Sequence, residues 1–349
     1  MEKENSLTVL DLFCGIGGFS KGFEKAGFNI VAGIDNWGVA LKTFKMNHKN
    51  TITINADLRE IGNETLKKYS GKIDIIIAGP PCQGFSMSGK RYIDDKRNTL
   101  FEEVIRAVNL IYPKVVIIEN VVGLLSMKNS DGEFIKDLIK RKLEKEGYEI
   151  EYKILNASDY GVPQARKRVI FIGSKIGKID FPKIKDYKVT VGDALGNLLD
   201  VEEQFYLEPK TNFQKLMADG ERKIYNHEKM NHNKEVLNRI KYVPQGGNWQ
   251  DIPKEFYNVC GEHSNNYRRL DSKQPSITLK HATKSMIIHP KFDRVITARE
   301  VARLQSFSDS FILSGTRFEQ HQQLANAVPP LLAFEVAKTI KYKLEKNEI

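Results

Sequence analysis

LTVLDLFCGIGGFS, residues 7–20, sets an apolar run against a turn carrying Gly15, Gly17 and Gly18. The run reads as a buried strand and the glycines as a tight backbone turn into a helix. Four further runs of the same texture follow: NIVAGID at 29–35, KIDIIIAGPP at 72–81, KVVIIENVVG at 114–123 and RVIFIGS at 168–174. Amphipathic stretches separate them. Strand–helix alternation with nearly continuous apolar strands marks an α/β fold whose mostly parallel sheet is covered by helices on both faces.

From about Lys175 to Lys291 that pattern dissolves into segments such as VPQGGNWQDIP and SNNYRRLDSKQPSITLK, without a steady period. A separate, smaller, loop-rich unit is expected there. TAREVARLQSF at 297–307 and VPPLLAFEVAKTIKYKLEK at 328–346 then read as helices. No internal repeat or low-complexity tract breaks the chain.

At 349 residues the chain is long enough for two domains, and its net charge of +10 suggests a polyanionic partner. No apolar stretch approaches the ~18 residues of a membrane span, so neither an anchor nor a secretory signal is expected. Cys14, Cys82 and Cys260 lie far apart without a CxxC pairing. That spacing argues against a disulfide framework or a metal site and for a reducing cytosol.

In open parallel sheets, ligands bind beyond the carboxyl ends of the strands. The polar residues cluster at that edge: the glycine turn, then Asp35 and Trp37, then GPPCQGFS at 79–86, then Glu119 and Asn120. A glycine turn with an acid at the end of the next strand suits a ribose-bearing cofactor, NAD or S-adenosylmethionine alike. Ser20 stands where the dinucleotide fingerprint has its third glycine, which tilts the choice away from a pyrophosphate. Trp37 is placed to stack on an adenine or to pack as a core aromatic. Cys82, on a loop held by Pro80 and Pro81 and neighboured by Glu119, reads as a nucleophile. Cys14 and Cys260 read as structural thiols. A thiol beside a carboxyl group under a basic surface fits addition to an electrophilic ring better than hydride transfer.

With these pieces in order, the sequence resembles the cytosine-C5 DNA methyltransferases of bacterial restriction–modification type. The resemblance runs almost end to end: DLFCGIGGFS, GIDNW, NADLREI, GPPCQGFS, ENVVGL, QARKRVIFIG, TAREVARLQSF and HQQLANAVPP. It implies a Rossmann-like S-adenosylmethionine-dependent methyltransferase fold. Residues 1–175 would form the catalytic cofactor-binding domain and 176–291 the target recognition domain, with a connecting segment at 292–318 and a return to the catalytic domain at 319–349.

The resemblance also assigns roles. Phe13, Gly15, Gly17 and Gly18 would shape the cofactor pocket, Asp35 would hold the ribose hydroxyls, Trp37 would pack on the adenine and Asp57 would accept from its amine. Pro81 and Leu100 would line the same pocket, and Asn326 with Val328 would close it. Cys82 matches the nucleophile and Glu119 the acid of the Glu-Asn-Val motif, while Arg166 and Arg168 match the two arginines of the Gln-x-Arg-x-Arg motif. The implied chemistry is addition of Cys82 to carbon 6 of a flipped cytosine, with Glu119 on the ring edge and Arg166 on O2. Carbon 5 then attacks the cofactor's methyl group.

Gln83 and the polar stretch from Ser86 to Asn98 would close over double-stranded DNA, with Lys90, Arg91, Lys96 and Arg97 on phosphates. Gln245, Asn248, Arg268 and Arg269 are candidates for base edges. A monomer in the bacterial cytoplasm is expected, with a restriction endonuclease as companion in the same system rather than as a stable subunit. Two departures stand out. Ala325 replaces the usual glycine of the last motif, where a positive φ would strain the turn and weaken cofactor affinity, and Ser308 replaces a usual proline. A tRNA methyltransferase is disfavoured because that branch carries PPCQPFT where this chain has PPCQGFS. A nicotinamide oxidoreductase would leave Cys82 and Glu119 without a joint purpose, and a silent DNA-binding protein would be marked by a lost nucleophile.

Overall fold

The structure, a computed structural model, describes residues 6–81, 100–200, 207–220, 223–257 and 266–347. These fall into two compact units. The first comprises Met1–Asn156, Lys167–Ile184 and Pro330–Ile349, and the second Ala157–Arg166 and Lys185–Pro329. Residues 292–329 therefore pack with the second unit, as does the short run 157–166.

The first unit is built on a seven-stranded sheet: β1 (Thr8–Leu12), β2 (Asn29–Asp35), β3 (Ile52–Asn55), β4 (Ile75–Ala78), β5 (Val115–Val121), β6 (Glu149–Asn156) and β7 (Lys167–Ser174). Their order is β3-β2-β1-β4-β5-β7-β6. The first five run parallel, while β7 lies antiparallel between β5 and β6. The sheet is thus mixed and mostly parallel, as the strand texture predicts. Its central strands β4 and β5 are buried along nearly their whole length, because a parallel sheet has both faces covered. The outer strands β3 and β6 are largely exposed, and neither stands out in the sequence as an apolar run.

Helices α1 (Gly18–Lys25), α2 (Gly38–Asn47), α3 (Asn63–Lys67), α4 (Leu100–Ile111) and α5 (Ile135–Lys145) connect the strands. In α4 the apolar residues Phe101, Val104, Ile105, Val108 and Ile111 recur at helical spacing and are buried in the sheet's core cluster, with Leu10, Ile76 and Ile118 from β1, β4 and β5. Gly22 of α1 admits the C-terminal helix α11 (Pro330–Asn347) at close range: a Cβ there would lie 2.4 Å from the Ala333 Cβ and 2.6 Å from the Pro330 carbonyl oxygen.

The second unit carries α6 (Val191–Leu195), α7 (Asn212–Ala218), α8 (Lys234–Lys241), α9 (Ala298–Leu304) and α10 (Arg317–Asn326), joined by long irregular segments. Each begins on a side-chain cap: Thr190, Thr211, Asn233, Thr297 and Thr316 accept from the backbone N–H three residues on. Buried arginines replace a sheet as its framework. Arg303 forms a two-point pair with Asp309 and also donates to the Ala194 carbonyl and Asn197. Arg299 donates to the carbonyls of Tyr225, Ser308 and Phe311. Arg294 bridges Asp200 and the fully buried Glu300.

Among the described residues no helix is long and apolar enough to cross a membrane.

Candidate active site

Parallel pairing of β1, β2, β4 and β5 brings their carboxyl ends to one edge of the sheet. The glycine turn leaves β1 there. Phe13, Gly15 and Gly17 have φ of +59°, +53° and +83°, so the backbone passes three times through the left-handed region, which only glycine enters without strain. The Cys14 N–H donates to the Ile34 carbonyl and the Gly17 N–H to the Cys14 carbonyl, fixing the turn against β2. A Cβ on Gly15 would meet nothing within 4 Å. The turn therefore exposes open backbone, which is what a ligand approaching the main chain needs. Gly17 is the N-cap of α1 and offers no side chain to its free N–H groups.

Asp35 closes this turn from β2. One carboxylate oxygen accepts from the Gly15 N–H and the other from the Trp37 N–H, each at 2.8 Å. Burial raises its pKa, opposed by those backbone donors. A carboxylate has about four acceptor sites, so capacity remains for a diol. Asp11, behind the turn on β1, is buried and accepts from the Ser20 hydroxyl at 2.5 Å; desolvation pushes it up to about 8, so it carries a proton at neutral pH. Ser20, read in the sequence as a missing glycine, is thus a buried hydrogen-bonding partner. Trp37 is half-buried at the N-cap of α2.

Asp57 departs from expectation in its surroundings. Its carboxylate is taken by the Arg59 guanidinium, Nε to Oδ1 at 2.9 Å and Nη2 to Oδ2 at 2.6 Å, which holds it well below the usual carboxylate range, at about 2. Leu100 opens α4 and is buried, whereas Pro81 is exposed.

Glu119 sits near the end of β5 and is 8% exposed. The Arg168 Nε on β7 approaches its Oε1 to 2.9 Å as an ion pair, yet without hydrogen-bond alignment, so among the described residues this buried oxygen accepts no hydrogen bond. Its Oε2 lies beside Gly79, where a Cβ would stand 3.8 Å away. The next residue, Asn120, donates from Nδ2 to the Pro80 carbonyl at 3.1 Å and accepts from the Val121 N–H. One strand end thus presents a carboxylate to the 79–81 segment and ties that segment down. The anchoring role of Asn120 has no sequence signal beyond its place after Glu119.

Cys82, Gln83, Ser86, Lys90, Arg91, Lys96, Arg97 and Cys260 lie outside the described residues. Cys14 is buried, as expected of a structural thiol.

The two arginines of the QARKR segment part company. Arg168 belongs to the first unit and pairs with Glu119, while Arg166 belongs to the second, where it is 2% exposed and donates from both Nη atoms to the Ala325 carbonyl at 3.2 Å. Ala325 lies within α10 without a positive φ, so the strain expected from its replacing glycine is not there. Asn326 ends α10, exposed, and Val328 is buried.

In the second unit Gln245 accepts from the Ser272 N–H and hydroxyl, and Asn248 caps a short 3-10 turn through the Gln250 N–H. Arg268 is half-buried, with no side-chain partner among the described residues. Arg269 behaves otherwise than expected of a base reader. It is 5% exposed, and its guanidinium bonds the carbonyls of Val243, His289, Phe292 and Ile240 and the Asp293 carboxylate. Those contacts use all its donors, which leaves none for DNA.

The family model for the C-5 cytosine-specific DNA methylases matches residues 7–342. The chain is 38% identical to the type II methyltransferase M1.HphI of Haemophilus parahaemolyticus, over 98% of this chain and 88% of that protein. It is 35% identical to the type II methyltransferase M.DdeI of Desulfomicrobium norvegicum, over 97% and 89%. A solved structure described as a DNA modification methyltransferase encoded within an E. coli prophage superposes with a TM-score of 0.79 at 29% identity, over 97% of this chain and all of that one.

Proposed function

The chain belongs to the C-5 cytosine-specific DNA methylases, and on that premise we propose that it methylates a flipped cytosine through a covalent bond to Cys82, as the methyltransferase of a type II restriction–modification system. The enzyme is a DNA cytosine-5-methyltransferase using S-adenosyl-L-methionine. The open backbone at Gly15 and the spare acceptor capacity of Asp35 fit that cofactor, and its sulfonium supplies an electrophilic methyl group when bound. Asp57 fits the adenine amine only where Arg59 yields an acceptor site.

The observation that carries the mechanism is the Glu119 carboxylate, buried, with an oxygen that accepts no hydrogen bond among the described residues, beside the Gly79 backbone three residues before Cys82. In the proposed sequence the Cys82 thiolate adds to carbon 6 while Glu119 gives a proton to N3 and accepts from the exocyclic amine. The electron pair displaced by sulfur reaches carbon 5, where methylation occurs. Loss of the carbon 5 proton to a base, with water a candidate, then expels the thiolate, and N3 gives its proton back to Glu119, which restores the neutral ring and the acid. Arg168 holds Glu119 in place, and Arg166 serves the O2 oxygen to the extent that Ala325 releases it. Carbon 6 is inaccessible in a stacked duplex, so the base must be flipped at a cost of a few kcal/mol.

Residues 176–291 are proposed to read the target sequence, with Gln245, Asn248 and Arg268 toward base edges and Lys90, Arg91, Lys96 and Arg97 as the candidates for phosphate contacts. A cytoplasmic monomer with a companion endonuclease completes the reading. The test is covalent trapping on duplex DNA carrying 5-fluorocytosine, where fluorine does not leave as a proton does. A denaturation-resistant adduct is expected with the wild type and none with Cys82→Ala. Trapping by that variant would overturn the nucleophile.

A further inference from the structure

We propose that His48 is a positioning residue for the cofactor turn, its ring forming the rear wall of Gly17 while its Nδ1 is anchored on Glu24 of the helix that the turn begins. The proposal rests on the reading that the Gly15–Gly18 turn holds the cofactor.

His48 caps the C-terminus of α2, and its side chain has no solvent exposure. A Cβ built on Gly17 would strike its Nε2 at 2.2 Å and Cδ2 at 2.8 Å, so the imidazole fills the space a side chain would need. The glycine is therefore demanded twice, by its φ of +83° and by the ring behind it. Phe44 stacks on the imidazole with centroids 4.2 Å apart, and Phe44 in turn packs against Gly33 of β2, where a Cβ would come within 2.8 Å of its ring. The imidazole is thus backed by the sheet and has no room to retreat. Its Nδ1 lies 2.7 Å from the Glu24 Oε1. Burial pushes the Glu24 carboxyl up, but the hydrogen bond and charge of His48, helped by Lys21, hold it below its ordinary range. His48 consequently grips α1 near its end and abuts Gly17 at its start.

The opposite nitrogen is the informative atom. Nε2 is buried against Gly17 and has no hydrogen-bond partner among the described residues. A phenylalanine would fill the same space without an unsatisfied polar atom, so packing alone does not account for histidine. The Nδ1 bond to Glu24 does, because it fixes the ring's orientation and through it the height of the turn.

The experiment measures S-adenosylhomocysteine affinity of the full chain by calorimetry, together with KM for cofactor and for DNA. His48→Ala is expected to weaken cofactor binding tenfold or more with KM for DNA within twofold. His48→Phe, which restores the wall without the anchor, should recover part of that loss, and Glu24→Gln should cost severalfold. Gly17→Ala should abolish binding, and Gly17→Ala combined with His48→Ala should lose less than the product of the two single effects. Gly15→Val marks the turn itself. If it abolishes binding while His48→Ala, His48→Phe and Glu24→Gln stay within twofold of wild type, the role of His48 is overturned. If Gly15→Val also binds normally, the reading of the turn falls and the proposal with it. Should His48→Ala not fold, the Phe and Gln variants decide by the same criterion. Equal rises in both KM values would make His48 merely structural and equally overturn it.

Discussion

The buried arginines of the second unit and the buried carboxylates of the first are opposite solutions to one problem, a charge or potential charge taken out of water. Arg299, Arg303 and Arg269 each meet several carbonyls or carboxylates of their own unit. Among the described residues Glu119 has the Arg168 cation beside it and an oxygen without a hydrogen bond, and Asp35 accepts from backbone donors, Gly15 and Trp37 among them. Saturated polar groups build shape, whereas groups with capacity in reserve await a ligand. That contrast agrees with the proposed chemistry on the sheet edge, and the arginine framework holds a loop-rich unit in form with no named strand among its described residues.

The sharpest way to break this contrast is Glu119→Gln. If the carboxylate is held for substrate, methyl transfer should fall about a thousandfold at saturating substrates, within the range of general acid–base catalysis, while the thermal midpoint moves little. A large fall in the midpoint with retained transfer would class Glu119 with the arginines. Arg303→Ala is the mirror experiment: it strands Asp309 in the interior and should cost about 3–5 kcal/mol in denaturant unfolding. A loss under 1 kcal/mol would mean that the saturated network carries no structural weight.

The histidines of the second unit sharpen the contrast through pH. Burial pushes His289 and His321 down to about 4 from an ordinary 6.5, so both are neutral in the folded state. Below 6.5 the unfolded chain takes up protons that the fold refuses. Stability should fall as pH drops from about 6.5 toward 4 and level off below, by about 1–2 kcal/mol for the pair at pH 6. Replacing both with glutamine should flatten that slope, which chemical denaturation at stepped pH would register. The smallest effect expected is that of Asn120→Ala, about 1 kcal/mol from one lost buried hydrogen bond to Pro80. Its transfer rate should fall more than its stability if the loop must be held in register, and the ratio of the two losses is the measurement.

Much of the first unit is readable in its sequence, because buried parallel strands are apolar without interruption and a glycine turn has no substitute. The strands β1, β2, β4, β5 and β7 and the place of Glu119 follow from that. Two edge strands escape notice because exposure removes the apolar signal: β3 is only four residues long and β6 carries Glu151, Tyr152, Lys153 and Ile154 all in the open. Arg269 is indistinguishable in sequence from Arg268, yet one is saturated and the other has no side-chain partner among the described residues. Partnership depends on carbonyls brought from distant residues such as Ile240 and His289. Arg59 and Asn120 are likewise legible only once geometry shows what they hold.

The chain passes between its units at only a few points, and one uninterrupted stretch, Lys185–Pro329, supplies nearly all of the second. In hereditary terms that stretch is a cassette. Recombination can replace it in a single exchange while leaving Asp35, Glu119 and the glycine turn on the retained flanks. The short run Ala157–Arg166, encoded apart, is the part of the second unit that such an exchange would leave behind. On the proposed assignment of target reading to this stretch, such an exchange would change the sequence that is read and leave the methyl transfer in place.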